Sequence, residues 1–263
     1  MARYISLYSG SSGNCSVIEE GGRFIMIDIG KSARLTKKAL DVLGLDLRGL
    51  EAIFISHEHS DHISGLNVFL KNVRVPVYSG ADTLDYLTDN NIIPAHIDVQ
   101  DLNFSTIETG SFMVHGFDTP HDSLGCLGFR VSTEKGRKMS LATDLGFVPP
   151  GVFENLRDVN LAVIESNYDP AMLKDGPYPY YLKRRIASDR GHLSNIQCSD
   201  AVIRLIEAGA ENIQLCHLSN NNNTPSLALE RIQKSARILG FSMPENVNIK
   251  VNSRHDITRP TSF

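Results

Sequence analysis

The sequence predicts an α/β fold in a single domain over residues 1–263: two β-sheets packed together, with helices outside. Three observations predict it. Strand patterns cluster early with few helices between them, and later strands alternate with helices, an order that suits layered sheets covered by helices. No linker, repeat or low-complexity tract interrupts the 263 residues. The composition, 41% hydrophobic and 21% charged, is that of a globular chain. A chain of this length buries roughly three quarters of its unfolded surface and needs no disulfide staples.

The elements follow in order. Tyr4–Tyr8 is short, apolar and β-prone, and Ser9-Gly-Ser-Ser-Gly-Asn14 is a turn. Cys15–Glu20 and Arg23–Ile29 flank Gly21-Gly22, a hairpin signal. Ser32 can cap a helix with Leu35, Ala39, Leu40 and Leu43 on one face, stopped at Gly44. Glu51–Ser56 is a buried strand that runs into a histidine-rich loop, Pro76–Ser79 another strand, and Asp82–Asn90 a helix. Phe112–Asp118, Cys126–Ser132, Lys138–Thr143 and Leu161–Glu165 read as strands. Ser194-Asn-Ile-Gln197 has the capping-box pattern. Its helix carries Ile196, Val202, Leu205 and Ile206 and stops near Gly209. Ile213–Cys216 is a strand, Pro225–Leu239 a helix, and Val247–Val251 the last strand.

The net charge of −4 argues against a bulk electrostatic DNA clamp while leaving room for a local basic patch. No apolar run approaches the ~18 residues of a membrane span. Met1–Gly13 lacks the apolar stretch of a signal peptide. Cys15, Cys126, Cys198 and Cys216 show no C-x-x-C spacing and read as buried thiols of a reducing compartment. The expectation is a cytoplasmic protein without membrane association.

Nine histidines are present, three of them in Ser56-His-Glu-His-Ser-Asp-His62. This run leaves the end of a buried strand. In extended chain His57 and His59, two apart, point to one side, while Asp61 and His62 lie where the chain bends. A His pair and an Asp/His pair can therefore face two cations, and imidazole with carboxylate suits zinc, manganese or iron. His96, His115 and His255 fit no motif and read as structural or solvated.

Ser-His-Glu-His-Ser-Asp-His-Ile-Ser-Gly, residues 56–65, resembles the H-x-H-x-D-H signature of the metallo-β-lactamase fold superfamily. That fold is a four-layer αββα sandwich. Further motifs resemble the family's in order: Asp28-Ile29-Gly30, with Asp28 as the supporting strand-end acid; His121 in Thr119-Pro-His-Asp-Ser; Asp144 in Ala142-Thr-Asp-Leu-Gly146; and His217 in Leu215-Cys-His-Leu-Ser219. The resemblance covers roughly residues 3–251. The Ser9–Asn14 turn, Gly191-His-Leu-Ser-Asn195 and Leu215–Pro225 resemble the YycJ/WalJ-like group, which is similar to ribonuclease Z proteins. His192 and Glu165 match the catalytic histidine and its acidic partner there. The chain has no long insertion like the arm with which ribonuclease Z grips tRNA, and the YycJ/WalJ-like group is implied to act on DNA.

The resemblance implies hydrolysis at a site for two divalent metal ions. His57, His59 and His121 would hold one, Asp61, His62 and His217 the other, with Asp144 bridging. Asp61 can also orient the attacking water. His192 would bind the scissile phosphate or protonate the leaving oxygen, with Glu165 holding its ring. A carbonyl substrate needs no such histidine, so His192 favours phosphodiesters. Lys174–Arg190 interleaves Lys183, Arg184 and Arg185 with Tyr178, Tyr180 and Tyr181, a pattern able to track a nucleic-acid backbone and stack on bases. Ser11 and Asn14 of the first turn are further substrate-binding candidates. Two other readings stay open: a thioester or other small-molecule hydrolase of the glyoxalase II or lactamase type, and a metal-binding partner protein with a degenerate site. The complete ligand set argues against the latter.

Overall fold

The structure, a computed structural model, describes residues 1–103 and 105–263. Its strands are β1 (Arg3–Tyr8), β2 (Cys15–Glu20), β3 (Arg23–Ile27), β4 (Leu50–Phe54), β5 (Val77–Ser79), β6 (Val99–Asp101), β7 (Thr106–Glu108), β8 (Phe112–Asp118), β9 (Leu127–Thr133), β10 (Lys138–Ala142), β11 (Leu161–Glu165), β12 (Asn212–Cys216), β13 (Asn248–Val251) and β14 (Thr261–Ser262). Its helices are α1 (Ala33–Val42), α2 (Ser60–Ile63), α3 (Leu66–Leu70), α4 (Ala81–Asp89), α5 (Pro150–Leu156), α6 (Pro170–Asp175), α7 (Tyr180–Ile186), α8 (Asn195–Glu207) and α9 (Pro225–Ile238).

Two seven-stranded sheets result, ordered β14-β1-β2-β3-β4-β5-β6 and β13-β12-β11-β10-β9-β8-β7. Most of their strands are buried on both faces, so they read as nearly continuous apolar runs. Alternate residues then serve different cores. In β3, Ile25 and Ile27 face the seam between the sheets, where they join Phe54, Phe129 and Val163. Phe24 and Met26 face outward under α1 and α3, with Leu40 and Phe69. On the second sheet Ile164, Ile213 and Leu215 face α5, α8 and α9. Three apolar layers between four structural layers make the expected αββα sandwich.

The capping signals act as expected. Ser32 caps α1, with its side chain accepting from the Leu35 amide, and Gly44 takes a φ of 69° beyond the last turn. Ser194 and Gln197 form a full capping box at α8. The buried stripe of α1 runs through Ala33, Thr36, Ala39 and Leu40, and α8 turns Cys198, Ala201, Val202 and Leu205 inward. Leu35 and Ile196, in the first turns of these helices, are exposed, 39% and 37%. The strands expected at Arg23–Ile29 and Glu51–Ser56 end at Ile27 and Phe54, so Asp28 and Ser56 lie just past strand ends.

Candidate metal centre

The site lies where several strands stop together. The His57–His62 loop follows β4 and turns into α2; His121 follows β8, Asp144 follows β10, Glu165 ends β11, and His217 follows β12. Asp28, Asp144 and His217 all adopt left-handed backbone, with φ of 61°, 57° and 53°. Such conformations cost about 1–3 kcal/mol each in a non-glycine residue and persist where surrounding structure holds them. Gly30 lets the loop close on β3: a Cβ there would stand 1.7 Å from the Asp61 carbonyl oxygen.

Buried hydrogen bonds fix the rings. The Ser56 hydroxyl donates to Asp28, which also accepts from the Ser56 amide at 2.8 Å and from His62 Nδ1 at 2.7 Å. His57 Nδ1 lies 3.0 Å from Ser56 Oγ, and His121 Nδ1 donates to the Gly191 carbonyl at 3.1 Å. With Nδ1 occupied, Nε2 of His57 and His121 carries the free lone pair, the arrangement a metal needs, and His62 would offer its Nε2 once deprotonated. His57 Nε2 and His121 Nε2 stand 3.1 Å and 3.3 Å from His59 Nδ1. His62 Nε2 is 3.5 Å and His217 Nε2 3.7 Å from Asp61 Oδ2. Asp144 stands between, Oδ1 3.9 Å from His121 Nε2 and Oδ2 3.3 Å from His62 Nε2.

The protein alone does not satisfy this arrangement. His217 Nε2 is buried without a hydrogen-bond partner, and three imidazole nitrogens converge on one point. Each His/Asp group offers atoms within 4.8 Å of one another. The donor set fits divalent cations.

Electrostatics agree. Burial pushes His57 and His121 below the ordinary imidazole pKa, and His62 next to His57 lowers it further, so both rings are neutral and able to ligate. Burial would raise Asp144, yet His217 and His62 beside it hold its carboxyl well below the usual range. Burial would lower His62, but Asp28, Asp144 and Asp61 together raise it well above the ordinary value. A cation entering there must displace that proton.

His192 Nδ1 donates to Glu165 Oε1 at 2.8 Å and lies 3.6 Å from Asp144 Oδ1. Glu165 is fully buried and accepts from the Leu145 and Leu193 amides at 3.0 Å and 3.2 Å. Burial opposes a charge on His192, but the Glu165 carboxylate prevails and raises the ring to about 9.

A cleft of about 370 Å³ opens over these groups. Ser11, Arg185 and Tyr178 line it, with Asn167 and Ser219. Asn14 does not line it. It is buried, accepting from the Gly10 amide at 2.8 Å and donating to Asp61 Oδ2 at 3.2 Å, so it braces the ligand loop. The basic helix α7 splits. Arg185 faces the cleft in a two-pronged ion pair with Asp122, while Lys183 and Arg184 line a separate hollow with Tyr180 and Leu173. Asp122 was not among the expected site residues. Its role depends on Arg185, 63 positions away, although its place directly after His121 was a signal. Ser56 and Thr143 were also missed: Thr143 Oγ1 donates to Asp144 Oδ2 at 2.8 Å and stands 2.9 Å from His217 Nδ1. His115 is structural, its Nδ1 donating to the Ser105 carbonyl at 3.0 Å. Among the described residues all four cysteines are free and buried, and no helix is long and apolar enough to cross a membrane.

Comparison with known proteins agrees with this geometry. Residues 23–218 match the family model described as the beta-lactamase superfamily domain. The exodeoxyribonuclease YycJ of Bacillus anthracis is 33% identical over 249 residues, 92% of each chain. The exodeoxyribonuclease WalJ of Streptococcus pneumoniae is 31% identical over 229 residues, 86% of this chain and 85% of its own. The metallo-β-lactamase fold protein YhfI from Bacillus subtilis superposes with a TM-score of 0.70, covering 98% of this chain and 99% of its own, at 15% identity. The chain therefore belongs to the beta-lactamase superfamily, in company with the YycJ and WalJ proteins, and is a metal-dependent hydrolase built on the metallo-β-lactamase fold.

Proposed function

We propose that the protein is a two-metal phosphodiesterase that cuts DNA, working in the cytoplasm as a single domain of residues 1–263. In this reading His57, His59 and His121 would hold one cation and Asp61, His62 and His217 the second, with Asp144 reaching toward both sets. Zinc, manganese and iron all suit these donors. Such ions would supply a nucleophile from water near neutral pH and offset charge on the phosphoryl oxygens. Asp61 would help orient the attacking water.

The single observation that carries the phosphodiester reading is the His192–Glu165 pair beside Asp144. With Nδ1 given to Glu165, the remaining ring nitrogen, Nε2, is left to face a substrate. A ring held protonated at neutral pH can bind a phosphate oxygen and then protonate the leaving 3′ or 5′ oxygen. Glu165 is a positioning residue: it fixes the tautomer and sustains the charge. Arg185, aimed by Asp122, adds a planar donor pair suited to a phosphate. Ser11 in the lining adds a neutral donor. The DNA substrate is supported by the relatives YycJ and WalJ, which are exodeoxyribonucleases.

The test compares substrates on one preparation with zinc or manganese added. Hydrolysis of single- or double-stranded DNA, and of bis-p-nitrophenyl phosphate, is expected to exceed that of nitrocefin or a glutathione thioester by orders of magnitude. A thioester or β-lactam turning over faster than any phosphodiester would contradict the reading.

A further inference from the structure

Cations crowd one face far from the α7 segment. Residues 31–42 and 66–75 carry Lys31, Arg34, Lys37, Lys38, Lys71 and Arg74 against the single acid Asp41, in a chain whose net charge is −4. Helix α1 packs on α3, and a groove between them is lined by Arg34, Lys37, Lys38, Asp41, Val68 and Asn72. Arg34, Lys38, Lys71 and Arg74 are exposed. Among the described residues none of the six cations forms an ion pair with an acid, although the N-terminus and six other Lys and Arg side chains do. The Lys37 ammonium sits 5.8 Å above the Phe69 ring, which anchors its stem and leaves its charge to solvent.

This face is continuous with the cleft. Lys31 precedes the cap of α1, and its side chain packs across Gly13: a Cβ at Gly13 would meet Lys31 Cδ at 2.7 Å. Two residues earlier Ser11 lines the cleft. An anionic polymer leaving the site past Ser11 therefore meets Lys31 first, then the α1 cations. Ten residues of helix span about 15 Å, room for roughly four phosphates of one strand at about 3.4 Å each along a duplex.

We propose that the α1–α3 face is a second binding site, one that grips the nucleic-acid backbone several nucleotides from the bond that is cut. It rests on the phosphodiesterase reading above and adds a track to it. Self-repulsion among six unpaired cations costs stability in the free protein, and a polyphosphate backbone relieves it. Contacts of this kind carry no sequence preference and are sensitive to salt. A short substrate that ends inside the cleft does not reach them.

The experiment uses the metal-loaded protein and the variant Lys37→Gln/Lys38→Gln/Lys71→Gln, with Arg34→Glu as an independent second variant. A fluorescent 30-nucleotide DNA with a non-hydrolysable backbone reports affinity by anisotropy across a salt series, and a cleavable copy and bis-p-nitrophenyl phosphate report turnover. The triple variant should bind the DNA at least about tenfold more weakly near 100 mM salt, with the slope of log K against log salt shallower by about 2. Its kcat on DNA and its turnover of the nitrophenyl ester should match wild type. Unchanged affinity and slope in both variants would overturn the proposal. So would an unchanged DNA affinity accompanied by lost binding to phosphatidylserine vesicles, which would make the face a membrane contact. If wild type binds the 30-mer but cuts no phosphodiester, the enzymatic reading fails while the binding arm still decides this one.

Discussion

His192→Ala should lower turnover of DNA by about 10²–10⁴-fold while the protein keeps its metals and fold, the usual size for a lost general acid. The ring contacts Glu165 rather than completing either His/Asp cluster, so its removal leaves both donor sets intact. A nitrophenyl phosphodiester should suffer less, because its leaving group departs without a proton. The same pair predicts a pH signature. Glu165 raises His192 to about 9 against the effect of burial, so the protonated ring dominates below that value and is lost as pH rises through it. The alkaline limb of kcat/KM reports this loss. Glu165→Gln removes the carboxylate charge, lowers the ring's pKa and should move the limb to lower pH, an effect that a purely structural Glu165 would not produce. Metal loss in His192→Ala, measured by elemental analysis, would make His192 a ligand instead. Unchanged turnover would reduce it to a residue that leads into α8.

The second large effect belongs to Asp144. Its carboxylate reaches toward both clusters, and His62 and His217 hold it ionised despite full burial. Asp144→Ala removes the one acid that reaches toward both assigned sets, leaving His62 with Asp28 and Asp61 and His217 with Asp61 and Glu165. Metal content should fall from about two ions per chain to below about one, and activity to that of chelator-treated protein. His57→Ala/His59→Ala should empty chiefly one site and leave the other. The comparison by elemental analysis separates the bridging role from simple ligation: equal losses in the two variants would contradict it.

Why so much of the centre is readable from the chain is a matter of geometry. Four donors within six residues after an apolar strand have few structural explanations. His121, Asp144 and His217 are legible from their resemblance to the family's motifs, and their places at strand ends, which converge on one edge of a layered sheet, support it. Asp28 and Glu165 were legible from the same resemblance. What depended on partners distant in sequence was not. Asp122 matters through Arg185, and Ser56 matters because Asp28 and two rings meet at its hydroxyl. In the run Lys183-Arg184-Arg185 composition cannot tell which side chain faces the cleft; a seven-residue helix decides it. The short helices α2, α3 and α5–α7 and the strands β6, β7 and β14 span two to seven residues, too few for a period to emerge.

The central claim, two cations in the two assigned donor sets, is tested most directly by anomalous diffraction at the manganese edge from crystals grown with manganese. Two peaks per chain are expected, one among His57, His59 and His121 and one among Asp61, His62 and His217, with Asp144 between them. A single peak within the alternative grouping of Asp144, Glu165, His192 and His217, or no peak at either expected position, would contradict the account.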